Sequence, residues 1–170
     1  METTGRLGLT RPRVYCCDSD ALINLQDAAL TTKLRRMARE NRLRVPEGVK
    51  RELSRRTDKL RQTLATWETK YPSVVAALDA QSMGLLHDLE NKYGPPFSIG
   101  AKTYGGFWNS RAGRKAVDSH LVALGKVHGW TVVSNDDSVH GACMKENVEC
   151  HRWEELGRIL CWGIQPSLFP

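Results

Sequence analysis

VYCCDSDAL, Val14 to Leu22, passes without a spacer from strand-forming residues into two acids and then into the apolar, helix-like run ALINL, Ala21 to Leu25. Val14 to Cys17 has the composition of a buried inner strand. Cys16 and Cys17 are adjacent, so a strand turns them to opposite faces, where both read as small core residues. Asp18 and Asp20 then stand at the mouth of the strand, where a following helix offers backbone N–H groups beside a charged rim. A strand that feeds directly into a helix opens a βα unit, and the question is whether the rest of the chain repeats the pattern.

It does. Ala21 to Ala29 continues as a helix with Leu22, Leu25 and Ala29 on one face, and Thr31 or Thr32 can cap a second helix carrying Leu34, Met37 and Ala38. Leu43 to Val45 reads as a strand, and Pro46 suits the first turn of the helix PEGVKRELSRR, with Val49 and Leu53 facing inward. Leu60, Leu64 and Trp67 share a helical stripe, and Val74 to Leu89 is read as a further helix. Tyr93 to Gly113, rich in glycine, proline and aromatic residues without a period, is expected to be a long loop. Val117, Leu121, Leu124 and Val127 form a helical stripe ended by Gly129. Two more strands, Trp130 to Val133 and Val148 to Cys150, alternate with a short helix and a final one, RWEELGRIL. Strands alternating with helices predict an α/β fold with a parallel sheet. Residues 13–162 are expected to form one domain with an insertion at 93–113, flanked by tails 1–12 and 163–170.

The 170 residues, 41% of them hydrophobic, suit one core and contain no run long enough to span a bilayer. Met1 to Arg13 lacks the apolar centre of a secretory signal, and the chain is read as cytoplasmic. Its five cysteines form no CxxC pair, and none of Cys150, His151, His120, His128 and His140 has zinc-ligand spacing. Between Lys33 and Arg61 lie twelve basic residues against four acids, a surplus larger than the net +6 of the whole chain. Such a concentration favours a polyanionic partner, with a solvated helix face as the alternative.

Open parallel sheets place their functional residues outside the carboxyl ends of the strands. Asp18 follows the first strand, Asp136 follows TVV, Asp118 opens the helix leading into that strand, and Glu52 lies on the helix after RVP. Four carboxylates on one rim repel one another by several kcal/mol at intermediate dielectric. A divalent cation relieves that cost, and all-oxygen ligands select Mg²⁺ or Mn²⁺ over zinc. The chemistry suggested is metal-assisted hydrolysis of a phosphodiester. Taken singly, each acid also has a plainer reading: a helix-dipole partner for Asp118, a partner of Arg55 or Arg56 for Glu52, a turn former for Asp136 or Asp137.

In this order the features resemble the PIN-domain family of metal-dependent nucleases, which includes the VapC-type toxins of bacterial toxin-antitoxin pairs. CDSDALINL resembles the family's opening strand and helix, VPEGVKREL the segment that ends on its second acid, AVDSHLVALGKVHGWTVVSNDD its third-acid helix with the strand and T-x-D that follow, and NVECHRWEEL the closing strand and helix of a poorly characterised branch. The resemblance implies a PIN-like three-layer α/β/α fold with a small parallel sheet of four to five strands. It also implies that Asp18, Glu52, Asp118 and Asp136 hold Mg²⁺ or Mn²⁺, with Ser19 supporting Asp18 and Ser134 in the Thr position. Asp20 stands where Asn or Ser is usual and could add a carboxylate. Asp137, next to Asp136, leaves the fourth ligand open between the two. Val139 replaces a common Phe, and the 93–113 insertion is longer than in compact VapC-type chains.

The activity so implied is an endoribonuclease yielding a 5′-phosphate and a 3′-hydroxyl. Its partners would be RNA, an antitoxin protein and a second copy of the chain, with no membrane. RNA would be held by Arg51, Arg55 and Arg56 near Glu52, and by Lys102, Arg111, Arg114 and Lys115 before Asp118. Tyr104, Phe107 and Trp108 would either stack on bases or pack locally.

Two rivals remain at this level. DSD after a first strand and VVSNDD also resemble motifs of haloacid-dehalogenase-like phosphatases, in which Asp18 would be the nucleophile, Asp20 the general acid, and Asp136 with Asp137 the Mg²⁺ site. That reading lacks the usual Gly-Thr or Thr-Val after DxD and leaves Glu52 and Asp118 without roles. The other rival is a non-catalytic module that binds nucleic acid or protein on a PIN-like scaffold.

Overall fold

The computed structural model describes residues 12–55, 59–109 and 117–163. The expected tails, 1–12 and 163–170, lie almost wholly outside these residues. In chain order the elements are β1 (Tyr15–Cys17), α1 (Ser19–Asp27), α2 (Thr31–Arg39), β2 (Leu43–Pro46), α3 (Glu47–Ser54), α4 (Lys59–Lys70), β3 (Val75–Ala76) and α5 (Ala80–Tyr93). Then come β4 (Phe97–Ile99), β5 (Lys102–Tyr104), α6 (Asp118–His128), β6 (Thr131–Val133), α7 (Asp137–Lys145), β7 (Cys150–His151) and α8 (Trp153–Ile159).

Five strands form one parallel sheet in the order β3-β2-β1-β6-β7. The sheet is the middle of three layers. Successive strand residues point to opposite faces, and the core divides accordingly. Tyr15, Cys17, Leu43, Val45 and Val133 pack against α1 to α4 and Leu156 of α8. Cys16 and Val132 pack against α5, α6 and α7. Covering on both faces explains why YCC and TVV are apolar without alternation and buried at every residue. The α/β reading and the opposed cysteines both hold.

Four readings need correction, the first being the Thr31 or Thr32 cap: α2 begins at Thr31 behind Leu30, with no side-chain cap bond. Val74 to Leu89 is not one helix: Val75 and Ala76 pair with Val45 and Pro46 as an edge strand, and Asp79 starts a new helix by accepting from the Ser82 N–H at 2.7 Å. A two-residue strand is too short to show a period. The 93–113 segment is not simply a loop either. β4 and β5 form an antiparallel hairpin turning at Gly100, whose φ of +58° suits glycine. Phe97 stacks on Tyr104 at 5.0 Å and meets Tyr93 edge-on at 5.0 Å, so the aromatic residues that looked aperiodic form a satellite cluster against α5. Finally, Ala29 is not on the α1 face but lies beyond the helix end, exposed, at φ +60°. Gly129 ends α6 at φ +66°, as its position predicts. Among the described residues, no helix is long and apolar enough to cross a membrane.

Candidate metal centre

The chain leaves β1 for β2 and β3 on one side, then returns to place β6 and β7 on the other, so the strand order reverses between β1 and β6. In a parallel sheet this is where a crevice opens outside the carboxyl ends. Asp18 is the first residue past β1. Its N–H still donates to the Val133 carbonyl of β6 at 3.0 Å, which fixes it at the crevice floor. The side chain is 8% exposed and caps α1, Oδ1 accepting from the Ala21 N–H at 2.6 Å.

Ser134, the first residue past β6, is fully buried. Its hydroxyl accepts from the Asp136 N–H at 3.1 Å and stands near enough to the Asp18 carboxylate to favour its charged form. Asp136 in turn caps α7 by accepting from the N–H groups of Ser138 and Val139 at 2.7 and 3.1 Å. Both acids are therefore oriented by the helices they start.

Glu52 is carried in by α3, which follows β2 without a spacer and buries Val49 and Leu53. Ser19 donates to its Oε2 at 3.1 Å. The hydroxyl expected to steady Asp18 thus steadies Glu52. Asp118 is the first residue of α6, whose N-terminus reaches the same rim. Gly48 lets α3 approach there: a Cβ at this position would lie 2.3 Å from Val117 Cγ1. Sequence reasoning did not single out Gly48, because a glycine in a first helical turn is unremarkable until its neighbour is known.

These carboxylates share one electrostatic field. Burial, followed by the charges of Asp136, Asp18, Glu52 and Asp20, lifts Asp118 to about 7. Burial also lifts Asp18 to about 6, opposed by its bonds from Ser134 and Ala21 and reinforced by Asp20 and Asp136. Glu52 is raised by burial and by Asp20, against the Ser19 bond and the Arg55 charge. Asp20, itself exposed, contributes to all three.

Asp137 is turned elsewhere. Its carboxylate accepts from Arg152 at 2.5 Å, stands 3.8 Å from the Lys102 ammonium, and is held below the usual carboxylate range by the Arg152 bond. Arg152 also donates to the Asn135 carbonyl at 2.9 Å, bracing the turn that presents Asp136. No feature of the sequence announced that role.

The set of donors suits a hard divalent cation: oxygen only, with more negative charge than the buried rim can hold unaided. Among the described residues, no group of three or more His, Cys, Asp or Glu side chains is drawn close enough to ligate an ion in these rotamers. The fit lies in donor chemistry and shared charge.

Of the cations expected to hold nucleic acid, Arg55 lies beside Glu52 and Arg51 acts on His120 in the first turn of α6. Lys102 sits over the Tyr104 ring at 4.8 Å. Arg56, Arg111, Arg114 and Lys115 lie outside the described residues. Tyr104 and Phe107 are 7% and 2% exposed and therefore pack locally.

No protein family matches the chain, and no curated protein does. Among solved structures, VapBC2 from Rickettsia felis bound to a DNA fragment from its promoter matches 82% of this chain and 98% of that chain, at 13% identity and a TM-score of 0.44. A likeness at that level decides neither ancestry nor function.

Proposed function

We propose that the chain is a metal-dependent nuclease of PIN-like kind that hydrolyses phosphodiester bonds of RNA. The observation that carries this reading is the electrostatic field that Asp18, Glu52 and Asp136 share with Asp118 outside the carboxyl ends of β1 and β6, where burial first and then those charges lift Asp118 to about 7. Mg²⁺ or Mn²⁺ bound there would supply charge neutralisation on the phosphate and a water of lowered pKa.

The chain's own residues do the positioning. Asp18 and Asp136 are fixed by helix caps and joined through Ser134, Glu52 is held by Ser19, and Asp118 is set by the start of α6. Asp20 adds negative charge at the exposed side of the rim and is a fifth candidate ligand. Arg51, Arg55 and Lys102 offer positive charge around an acidic centre, an arrangement that draws in a polyanion while reserving the centre for a cation.

The phosphatase reading needs Asp136 and Asp137 on one ion, and the pairing of Asp137 with Arg152 speaks against it. The family resemblance further suggests a toxin restrained by an antitoxin protein. Coexpression with the product of a neighbouring gene, read as loss of cleavage, tests that extension.

The central test is incubation of labelled RNA with the protein and Mn²⁺, with and without EDTA. Cleavage is expected with metal only, and is expected to vanish in Asp18→Asn and Asp118→Asn proteins that remain folded. Equal cleavage by both variants would overturn the shared acid site. Retained RNA binding without cleavage by any form would leave the non-catalytic module instead.

A further inference from the structure

On the face of the molecule formed by α2 and α4, a groove of about 450 Å³ is lined by Arg35, Lys59, Thr63, Thr66, Lys70 and Tyr71, with Gln62 and Trp67 completing it. It has three cations and no acid. Lys59, Thr63, Thr66 and Lys70 recur every three or four residues, so they form one face of α4. Lys59 and Lys70 are eleven residues apart, a distance along the helix of roughly 16 Å.

Arg35, Lys59 and Lys70 are exposed, and among the described residues none has an ion-pair partner. The described acids on these helices, Glu68 and Glu40, are engaged elsewhere. Glu68, the one carboxylate of α4, pairs with Lys50 at 2.6 Å. Glu40 pairs with Arg36 at 2.7 Å and with Arg42 at 3.6 Å. Among the described residues the groove is thus a row of positive charge without a paired acid, with hydroxyl groups between, a combination suited to a chain of phosphates.

We propose that the α2–α4 groove binds the sugar-phosphate backbone of single-stranded RNA as a secondary site that feeds the acid rim. This rests on the reading of that rim as an RNA-cleaving centre. The placement favours RNA over an acidic peptide. α3, which carries Glu52, ends at Ser54 with Arg55 as its C-cap, and Lys59 at the groove follows four residues after Arg55, a span of at most about 14 Å. One strand could therefore run from groove to rim. The rim itself repels carboxylates, whereas a phosphodiester is what a cation held there would engage. Tyr71, partly exposed, adds an aromatic side chain to the groove lining.

The test measures binding of a labelled single-stranded RNA in EDTA, where no cleavage intervenes, across a salt series. The triple variant Arg35→Gln, Lys59→Gln, Lys70→Gln is compared with the parent and with Lys145→Gln, an exposed cation at the far end of α7. Loss of three phosphate contacts should lower the slope of log K against log salt by about 2. Affinity at low salt should fall at least tenfold, while Lys145→Gln changes neither. With Mn²⁺, the triple variant should cut a long RNA more slowly and an oligonucleotide too short to bridge groove and rim at the parent rate.

Unchanged affinity and slope in a triple variant of parental thermal stability would overturn the proposal. So would displacement of RNA by poly-glutamate at equal charge concentration, which would assign the groove to an acidic peptide. If no form cleaves RNA, the nuclease reading fails, and the binding series in EDTA still decides the groove.

Discussion

Ser19 donates its hydroxyl to Glu52 at 3.1 Å, tying the first turn of α1 to a residue 33 positions later on α3. A hydrogen bond to a charged acceptor contributes about 1.5–3 kcal/mol when buried, and less at this half-buried site. Ser19→Ala should lower stability by roughly 1 kcal/mol and free Glu52 to change rotamer. Cleavage should fall several-fold, well short of the loss in Glu52→Gln. A Ser19→Ala protein as inactive as Glu52→Gln would show that Ser19 does more than position.

The acid cluster makes the metal-free protein sensitive to pH in a particular direction. Asp118 is lifted to about 7 and Asp18 to about 6, against about 3.9 in an unfolded chain. The folded state then holds protons more tightly than the unfolded one. The contribution is complete below about pH 4 and is lost as pH rises through 6 and 7. In EDTA, denaturant unfolding should show less stability at pH 8 than at pH 5. Asp118→Asn should remove much of that difference, gaining on the order of 1 to 2 kcal/mol at pH 5 and about 2 to 3 kcal/mol beyond that at pH 8. A flat profile in the parent would contradict the crowding of these acids.

Divalent metal should reverse the same deficit. A cation that binds only the folded state adds roughly 2.7 kcal/mol at a hundredfold excess over its dissociation constant. Mn²⁺ or Mg²⁺ should therefore raise the melting temperature at pH 8 more than at pH 5, because protons compete for Asp18 and Asp118 at the lower pH. The shift should be lost in Asp118→Asn. An equal shift in that variant would place the binding elsewhere.

Much of this centre is legible in the sequence for one physical reason: a parallel sheet turns a local feature, an acid just past a strand, into a position on a common rim. Asp18 and Asp136 could be read this way because YCC and TVV are buried at every residue and so stand out as runs without alternation. Glu52 and Asp118 were harder, since their placement depends on the register of helices that only packing defines. Three features were not legible at all. The hairpin at Phe97–Tyr104 has strands of three residues, too short for a period. The pairing of Ser19 with Glu52 rather than Asp18 depends on a contact between distant segments. The resolution of Asp136 from Asp137 comes from Arg152, fifteen residues beyond Asp137.

Gly48 tests how tightly the rim is built. Its substitution by Ala would put a methyl 2.3 Å from Val117 Cγ1 and 3.0 Å from Val117 Cβ, and Val117 immediately precedes Asp118. Overpacking of this kind costs about 1–3 kcal/mol. Gly48→Ala should lower stability by that amount and weaken metal binding by displacing the start of α6. Adding Val117→Ala removes the nearer clashing atom and should restore part of both. A variant whose metal-dependent melting shift matches the parent would show that Asp118 does not depend on this approach.

Arg152 braces the opposite side of the centre through two contacts, to the Asn135 carbonyl and to Asp137. The side chain is 41% exposed, so its ion pair contributes about 1 kcal/mol or less to stability. Its consequence for the site is larger, because Asn135 lies between Ser134 and Asp136. Arg152→Ala releases that turn and also leaves Asp137 with Lys102 as its remaining partner, so that a more mobile carboxylate competes with Asp136 for cation. The expected outcome is a nearly unchanged melting temperature without metal, a several-fold loss of cleavage and a changed apparent metal affinity. Arg152→Lys keeps the charge but cannot reach both partners with a planar fork, and should fall between the two. Adding Asp137→Asn to Arg152→Ala separates the effects: recovery of metal affinity would assign the loss to the freed carboxylate, and no recovery would assign it to the loosened turn. Full cleavage by Arg152→Ala would remove Arg152 from the machinery.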